Sequence, residues 1–189
     1  MSIKQNLKNI NYIPQIHAYS TNFWKTLTGS PTYDASSKSL FVNAAAIASL
    51  YTFSNGGALR MEVKVPTAPT TGDVRQFGWR NPTTGEGIYF NIDGEIFSAL
   101  TVYKNGDAES SPITWLAGWT NEYKVYEIVL NGKTAEFYID GSLNKTLLLD
   151  LDASKYLAMP VYFGNEEADN MSVRQIVISG SEAINPIAA

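Results

Sequence analysis

Paired carboxylates are the first chemistry to look for, because glycoside hydrolysis needs two of them facing one sugar, about 5–10 Å apart. The nearest acidic pair in this chain is Asp93 and Glu95, separated by Gly94. An Asp-Gly pair is typical of a hairpin turn, which would place these two carboxylates on different strands. The spacing therefore predicts a turn at this point and no catalytic pair.

Nucleophilic catalysis has equally little support in the residue types. His17 is the only histidine, and no G-x-S-x-G motif accompanies it. A serine nucleophile needs a base and a sharp strand-to-helix turn to present it. We therefore predict that the protein is not an enzyme, and we keep a glycoside hydrolase as a third hypothesis.

A metal site is conceivable in one acidic loop. Glu166, Glu167 and Asp169 lie within four residues of one another, and calcium prefers clustered oxygen ligands of this kind. No D-x-D-x-D-G spacing is present, so a solvated acidic loop is the alternative. With no cysteine in the chain, disulfides and thiolate metal sites are excluded. Calcium is thus the one cofactor to test, and otherwise none is expected.

Aromatic and amide side chains form the best candidate for recognition. A strip of such residues on a sheet can stack on sugar rings and bind their hydroxyl groups. The residues that would form this strip are Arg75, Trp79, Tyr89, Asn91 and Tyr103. The alternative is that Phe77 and Trp79 face the core and only tyrosines lie outside.

The elements that must position these residues are short strands separated by Gly, Asn and Asp turns. A short helical turn is predicted at Ala44–Leu50, where alanines cluster. The predicted strands are 39–43, 58–65, 74–80, 87–93, 96–104, 125–130, 134–140, 161–164 and 173–179. This order lacks any strand–helix–strand alternation, which indicates an all-β sandwich or barrel.

The clearest hairpin lies between Tyr126 and Gly141. Tyr126, Ile128 and Leu130 alternate with less apolar residues, as in a half-buried strand. Asn131-Gly132 is predicted to supply two positive φ angles to a tight turn, and Asp140-Gly141 ends the second strand.

This hairpin resembles the late hairpin of concanavalin A-like jelly rolls, which include laminin-G-like domains, legume-type lectins and many glucanases. The resemblance runs from about Thr32 to Ser179. It implies a jelly-roll β-sandwich of two antiparallel sheets. Glucanases of this type carry a strand motif resembling E-x-D-x-x-E, which this chain lacks. The resemblance predicts the fold and leaves the function open, because lectins, hydrolases and structural proteins share this scaffold.

Three segments follow from these patterns: an N-terminal segment 1–30, the sandwich 31–180 and a C-terminal tail 181–189. The N-terminal segment is predicted either to be a strand with a lead-in loop or to be an arm that docks on another chain. The apolar residues that would dock are Ile10, Ile13, Phe23 and Trp24.

Charge and hydropathy restrict the partners and the location. The net charge of −4 and the absence of a basic run argue against nucleic-acid binding. No apolar run approaches the about 20 residues of a membrane-spanning helix. The N-terminus lacks the apolar core of a signal peptide. We therefore expect synthesis in a host cytoplasm. For the virus-particle function considered below, the protein would then be placed on the surface of the virion. The alternative is a cytoplasmic protein or one released by lysis.

Two non-catalytic functions remain open. The first is a structural or decoration protein of a larger assembly, such as the capsid or tail of a phage or virus. Its partners would be other protein subunits, with a homo-oligomer as one arrangement and a cell-surface glycan as a second ligand. The alternative is a carbohydrate-binding module or lectin that uses the aromatic strip. We favour the assembly protein here, because carbohydrate-binding modules are usually attached to an enzyme.

Overall fold

A computed structural model describes residues 16–17, 23–54, 57–103, 106–149, 159–166, 171–179 and 182–186. Within these residues the chain forms strands, with a 3-10 turn at Ala117–Trp119. The strands are β1 (Ile16–His17), β2 (Trp24–Thr28), β3 (Thr32–Asp34), β4 (Ser39–Val42), β5 (Ala45–Ser54), β6 (Ala58–Lys64), β7 (Val74–Arg80), β8 (Gly87–Asp93), β9 (Ile96–Val102), β10 (Ala108–Pro112), β11 (Tyr123–Asn131), β12 (Thr134–Ile139), β13 (Ser142–Leu148), β14 (Met159–Asn165), β15 (Met171–Ser179) and β16 (Glu182–Pro186).

The strands form two antiparallel sheets packed face to face. The first sheet has the order β13-β12-β11-β6-β15-β4-β3, with β1 beside β15. The second sheet has the order β10-β9-β8-β7-β14-β5-β16, with β2 beside β5. Every strand pairing among the described residues is antiparallel. The predicted all-β sandwich of two antiparallel sheets is confirmed.

Alternation of side chains along the strands builds the core between the sheets. On β12, Ala135, Phe137 and Ile139 are buried, while the residues between them are half-buried. This is the period of two expected when one face of a strand packs inward. These three side chains therefore form the inner face of β12.

Aromatic side chains join the two sheets at the centre of the core. The ring of Phe90, on β8 of the second sheet, lies 5.1 Å from the rings of both Tyr126 and Phe137 on the first sheet. Both contacts are edge-to-face, the arrangement that the charge distribution of aromatic rings favours. At one end of the core, Trp115 and Trp119 pack against Phe97 at 5.5 and 6.2 Å.

The turn between β11 and β12 differs from the predicted one. Asn131 pairs with Thr134 inside the ladder, so the two loop residues are Gly132 and Lys133. Gly132 has φ +58°, whereas Asn131 keeps a negative φ. The prediction of two positive φ angles at Asn131-Gly132 is therefore wrong. That pattern occurs instead in the next turn, at Asp140 (φ 49°) and Gly141 (φ 78°).

We expect Gly132→Val to lower the free energy of unfolding by about 1–2 kcal/mol, because a β-branched residue is strained at positive φ. A Cβ atom at position 132 would meet no atom within 4 Å, so the cost is conformational rather than steric. Chemical denaturation measures it. Gly132→Asn is the control, since asparagine tolerates this φ and should cost clearly less. Equal stability of Gly132→Val and the unaltered protein would contradict the turn geometry.

The helical turn predicted at Ala44–Leu50 is wrong. Ala45–Ser54 is strand β5, which pairs with β14, β2 and β16 in the second sheet. Ala45, Ile47, Ala48 and Ser49 are buried along it. Hydrogen bonding to neighbouring strands and burial of these side chains outweigh the helix propensity of alanine, which is a weak preference.

The sandwich also extends beyond the predicted limits of 31–180. Strand β2, which precedes residue 31, pairs with β5. Strand β16, which follows residue 180, also pairs with β5. Trp24 is buried in the core, with its ring 5.6 Å from Phe163 and 4.8 Å from the half-buried Phe23. The expectation that Trp24 docks on a partner is therefore corrected: it anchors an integral strand. Ile10 and Ile13 lie outside the described residues.

Across the described residues, none of the helical structure is long and apolar enough to cross a membrane.

Candidate functional site

The outer face of the first sheet carries charged groups, several of which pair with each other. Arg174 Nε lies 3.2 Å from Glu62 Oε2, and its guanidinium lies 3.5 Å from the centre of the Tyr123 ring. The hydroxyl of Tyr138 donates to Glu136 Oε2 at 2.6 Å. Exposed pairs of this kind add little stability and are typical of a solvated surface.

The outer face of the second sheet has a different composition. Cross-strand register places two adjacent rows of side chains on it. One row consists of Leu100, Tyr89, Gly78, Tyr162 and Ala48. The other row consists of Ser98, Asn91, Gln76, Gly164 and Ala46. Neither row contains a charged residue. This surface therefore combines aromatic rings, amides and small residues.

Two tyrosines and one arginine lie close together on this face. The guanidinium of Arg80 lies 4.8 Å from the centre of the Tyr162 ring and 5.7 Å from that of Tyr89. Tyr89 is 3% exposed and Tyr162 is 8% exposed, although neither belongs to the core between the sheets. Burial raises the pKa of both phenols, and Arg80 partly opposes this rise.

Glycines make room for these rings. A Cβ atom on Gly78 would lie 2.7 Å from the Cα atom of Tyr89, and one on Gly164 would collide with the hydroxyl of Tyr162. A Cβ atom on Gly87 would lie 2.9 Å from Cδ1 of Tyr89, so the rings of Tyr89 and Tyr162 lie close to glycines of the sheet.

An open groove of about 530 Å³ lies beside Tyr162. Ala46 and Gly164 form part of its small-residue floor, and Gln76, Thr28 and Glu166 add polar groups to its lining. Gln76 Nε2 donates to Asn91 Oδ1 at 2.8 Å. This hydrogen bond orients the side-chain amide of Gln76, so that its carbonyl oxygen can accept a hydrogen bond from a ligand. The groove can thus accept a flat, hydroxyl-rich molecule against an aromatic wall.

The loop after β7 reaches over the same face. Pro82 and Thr83 line the groove together with Gln76. Asn81 holds the loop in shape, because its Oδ1 accepts from the backbone N–H of Thr83 at 2.9 Å and its backbone N–H donates to the Glu86 carbonyl at 2.7 Å. An Asn side chain that caps its own turn in this way orders a loop.

Arg75 and Trp79 do not lie on this surface, which corrects the predicted strip. Arg75 is 1% exposed on the inner side of β7, where Nη1 lies 2.9 Å from Asp73 Oδ2 and Nη2 donates to Thr67 Oγ1 at 3.0 Å. Trp79 is buried in the core on the same side. The ion pair with Asp73 is what allows an arginine to share a face with core aromatics.

Tyr103 is also placed differently from the prediction, whereas Tyr89 and Asn91 lie on the outer face. The hydroxyl of Tyr103 donates to the backbone carbonyl of Leu148 at 3.2 Å, which links the second sheet to the first. Tyr103 therefore does not join Tyr89 and Asn91 in one strip.

Four residues of the site were absent from the sequence-based set: Gln76, Arg80, Tyr162 and Gly164. Alternation along β7 is a signal for the first two, because Gln76 and Arg80 alternate with the inward Arg75, Phe77 and Trp79. Tyr162 and Gly164 lie in β14, which is buried along its whole length, and this pattern carries no sign of an outer face.

The predicted acidic residues do not assemble into a catalytic or metal centre in the described structure. Asp93 pairs with Ile96 across the β8–β9 turn, and Glu95 Oε1 accepts from Thr71 Oγ1 at 3.1 Å. The described residues contain no group of three or more candidate metal ligands. Glu166 is exposed beside the groove, while Glu167 and Asp169 lie outside the described residues.

Comparison with solved structures finds the same fold in receptor-binding domains of botulinum neurotoxins. The chain is similar to the serotype D binding domain, with a TM-score of 0.66 and 14% identity over 94% of this chain and 50% of that one. It is also similar to the serotype G binding domain, with a TM-score of 0.59 and 14% identity over 88% of this chain and 45% of that one.

A serotype D ligand-binding domain in complex with N-acetylneuraminic acid matches with a TM-score of 0.61 and 11% identity, over 95% of this chain and 50% of that one. The chain thus spans about half the length of these domains. No protein-family model matches the chain, and no curated protein matches its sequence. At these identities the comparisons establish the β-sandwich fold that these binding domains share with this chain.

Proposed function

We propose that the protein is a non-catalytic glycan-binding protein whose ligand lies in the groove on the outer face of the second sheet. The observation that carries this proposal is the groove itself, where the Tyr162 ring borders a floor of Ala46 and Gly164. Sugar rings have apolar faces that pack on aromatic rings, and their hydroxyls bind amides and carboxylates such as Gln76 and Glu166.

The comparisons support binding over catalysis. The similar structures are described as binding domains, and one of them was solved with N-acetylneuraminic acid. Among the described residues that line the groove, Glu166 is the one carboxylate. Hydrolysis of a glycosidic bond by the usual mechanism needs two.

A role as a subunit of a larger assembly is a second candidate. The observation in its favour is the edge strand β13, where Leu143 is 54% exposed and Leu148 is 69% exposed. Exposed apolar residues on an unpaired edge are a place where another chain can add a strand. Analytical ultracentrifugation measures whether the protein self-associates, and comparison with the Leu148→Lys variant tests whether this edge is responsible. Attachment to a phage or virus particle would be one context for it.

We expect Ala46→Trp to weaken glycan binding by about tenfold or more, because the indole would fill the groove beside Gly164. A glycan array identifies the ligand, and calorimetry with that glycan measures the change in Kd. Tyr138→Ala is the control, since it removes an aromatic ring from the outer face of the first sheet and should leave Kd unchanged. Unchanged binding by Ala46→Trp, or an equal loss in Tyr138→Ala, would contradict the proposed site.

A further inference from the structure

We infer that the glycan bound at this site carries a carboxylate group and that Arg80 binds it. This inference rests on the proposed function and deepens it by naming the chemical class of the ligand. It depends on where Arg80 lies and on the lack of a carboxylate partner for Arg80 among the described residues.

Arg80 is held in place by contacts that leave its charge unsatisfied. Its guanidinium lies over the rings of Tyr162 and Tyr89, at 4.8 and 5.7 Å from their centres. Its Nε atom is buried and has no hydrogen-bond partner in the described part of the chain. The same is true of Nε in Arg75 and Arg174, so what distinguishes Arg80 from these two arginines is the lack of a carboxylate partner among the described residues.

Three other cations of the described residues have carboxylate partners, whereas Lys64, over the Tyr123 ring, has none there. Arg75 pairs with Asp73 at 2.9 Å, Arg174 pairs with Glu62 at 3.2 Å, and Lys124 lies 3.2 Å from Glu122. In the described residues no carboxylate pairs with Arg80. A partly buried cation held by two aromatic rings, without a counter-charge of its own, is therefore ready to receive an anion from a ligand.

Tyr162 connects Arg80 to the groove. One side of its ring contacts the Arg80 guanidinium, while the ring also lines the groove. Glu166 contributes to the raised pKa of Tyr162, which places this carboxylate near the same side chain. A sugar against Tyr162 can therefore direct a carboxylate towards Arg80 and its hydroxyls towards Glu166 and Gln76.

The loop after β7 lies beside the guanidinium of Arg80. Gly85 follows the capped turn at Asn81, and a Cβ atom there would lie 3.9 Å from Nη2 of Arg80. The planar guanidinium offers parallel N–H donors that match the two oxygens of a carboxylate. A neutral sugar would leave the charge of Arg80 uncompensated, so the site should distinguish acidic sugars from neutral ones.

The test is an array of glycans that contain uronic or sialic acids, each printed beside its carboxyl-reduced, neutral counterpart. We expect binding to acidic glycans and a Kd higher by about 10- to 100-fold for the reduced counterpart, the range for hydrogen bonds to charged groups. Arg80→Gln should abolish this preference, and Arg80→Lys should restore only part of it because lysine lacks the planar fork. Arg60→Gln, on the exposed outer side of the first sheet, is the matched control.

The outcomes separate this inference from the proposed function. Equal binding of acidic and reduced glycans, still weakened by Ala46→Trp, would overturn the role of Arg80 and leave the glycan site standing. No binding to any glycan would overturn both. If Arg80→Gln weakened the binding of acidic and reduced glycans equally, Arg80 would hold the tyrosines in place without binding the carboxylate. The inference would then fail.

Discussion

Replacing Gly78 by alanine should lower the free energy of unfolding by about 3 kcal/mol or more. Gly78 has φ +147°, a region that residues with a side chain rarely adopt, and such strain costs about 1–3 kcal/mol. In addition, the new Cβ atom would lie 2.7 Å from the Cα atom of Tyr89 and 2.9 Å from the carbonyl oxygen of Ile88. These are backbone atoms of the neighbouring strand, so β7 and β8 would have to separate, which adds about 1–3 kcal/mol.

Urea denaturation of Gly78→Ala measures this loss. Gly72→Ala is the matched control, because Gly72 also has a positive φ of 96° but a Cβ atom there would meet nothing within 4 Å. It should show only the conformational part of the cost. An equal loss of stability in both variants would show that the close approach of β7 and β8 at Gly78 is wrong.

Trp79→Ala should destabilise the protein by about 3–5 kcal/mol, the usual cost of truncating a large aromatic residue in a core. Trp79 is 4% exposed and packs between the sheets, so its removal leaves a cavity. Its Nε1 atom is buried without a hydrogen-bond partner in the described structure, so Trp79→Phe loses no hydrogen bond. We therefore expect Trp79→Phe to cost much less than Trp79→Ala.

Thermal and chemical unfolding of the two variants decide this prediction. Glycan binding by Trp79→Phe should match the unaltered protein, since the ring faces away from the groove. If Trp79→Ala kept its stability but lost glycan binding, Trp79 would belong to a recognition surface and the inward placement would be wrong.

The contrast between the two outer faces explains why one of them is the candidate site. The first sheet presents charges such as Arg174 and Glu62 that already pair with each other. The second sheet presents Tyr89 and Tyr162, which are buried without belonging to the core, beside an arginine that lacks an acidic partner in the described residues. This arginine and the groove beside Tyr162 are the features on which the proposed site rests.

Much of the strand framework follows from sequence, and the exceptions have physical causes. Strands β7 and β8 were predicted with the observed bounds, because glycine, asparagine and proline mark their ends. Strand β13 was missed, since this half-exposed edge has an irregular pattern and a register shift in its partner β12. The alanines of β5 favour a helix locally, so the sequence predicts a helical turn there. The strand forms because β5 pairs with three strands that are distant in the chain, and such pairing is not visible in the local sequence.

The sequence by itself determined the all-β class, the positions of most turns and the alternation of side chains along each strand. Only the tertiary structure decided which side of β7 faces inward. Both sides of that strand carry residues suited to recognition, with Arg75 and Trp79 on one and Gln76 and Arg80 on the other. Alternation separates two faces but does not say which is buried. The choice depends on packing against the other sheet and on Asp73 neutralising Arg75.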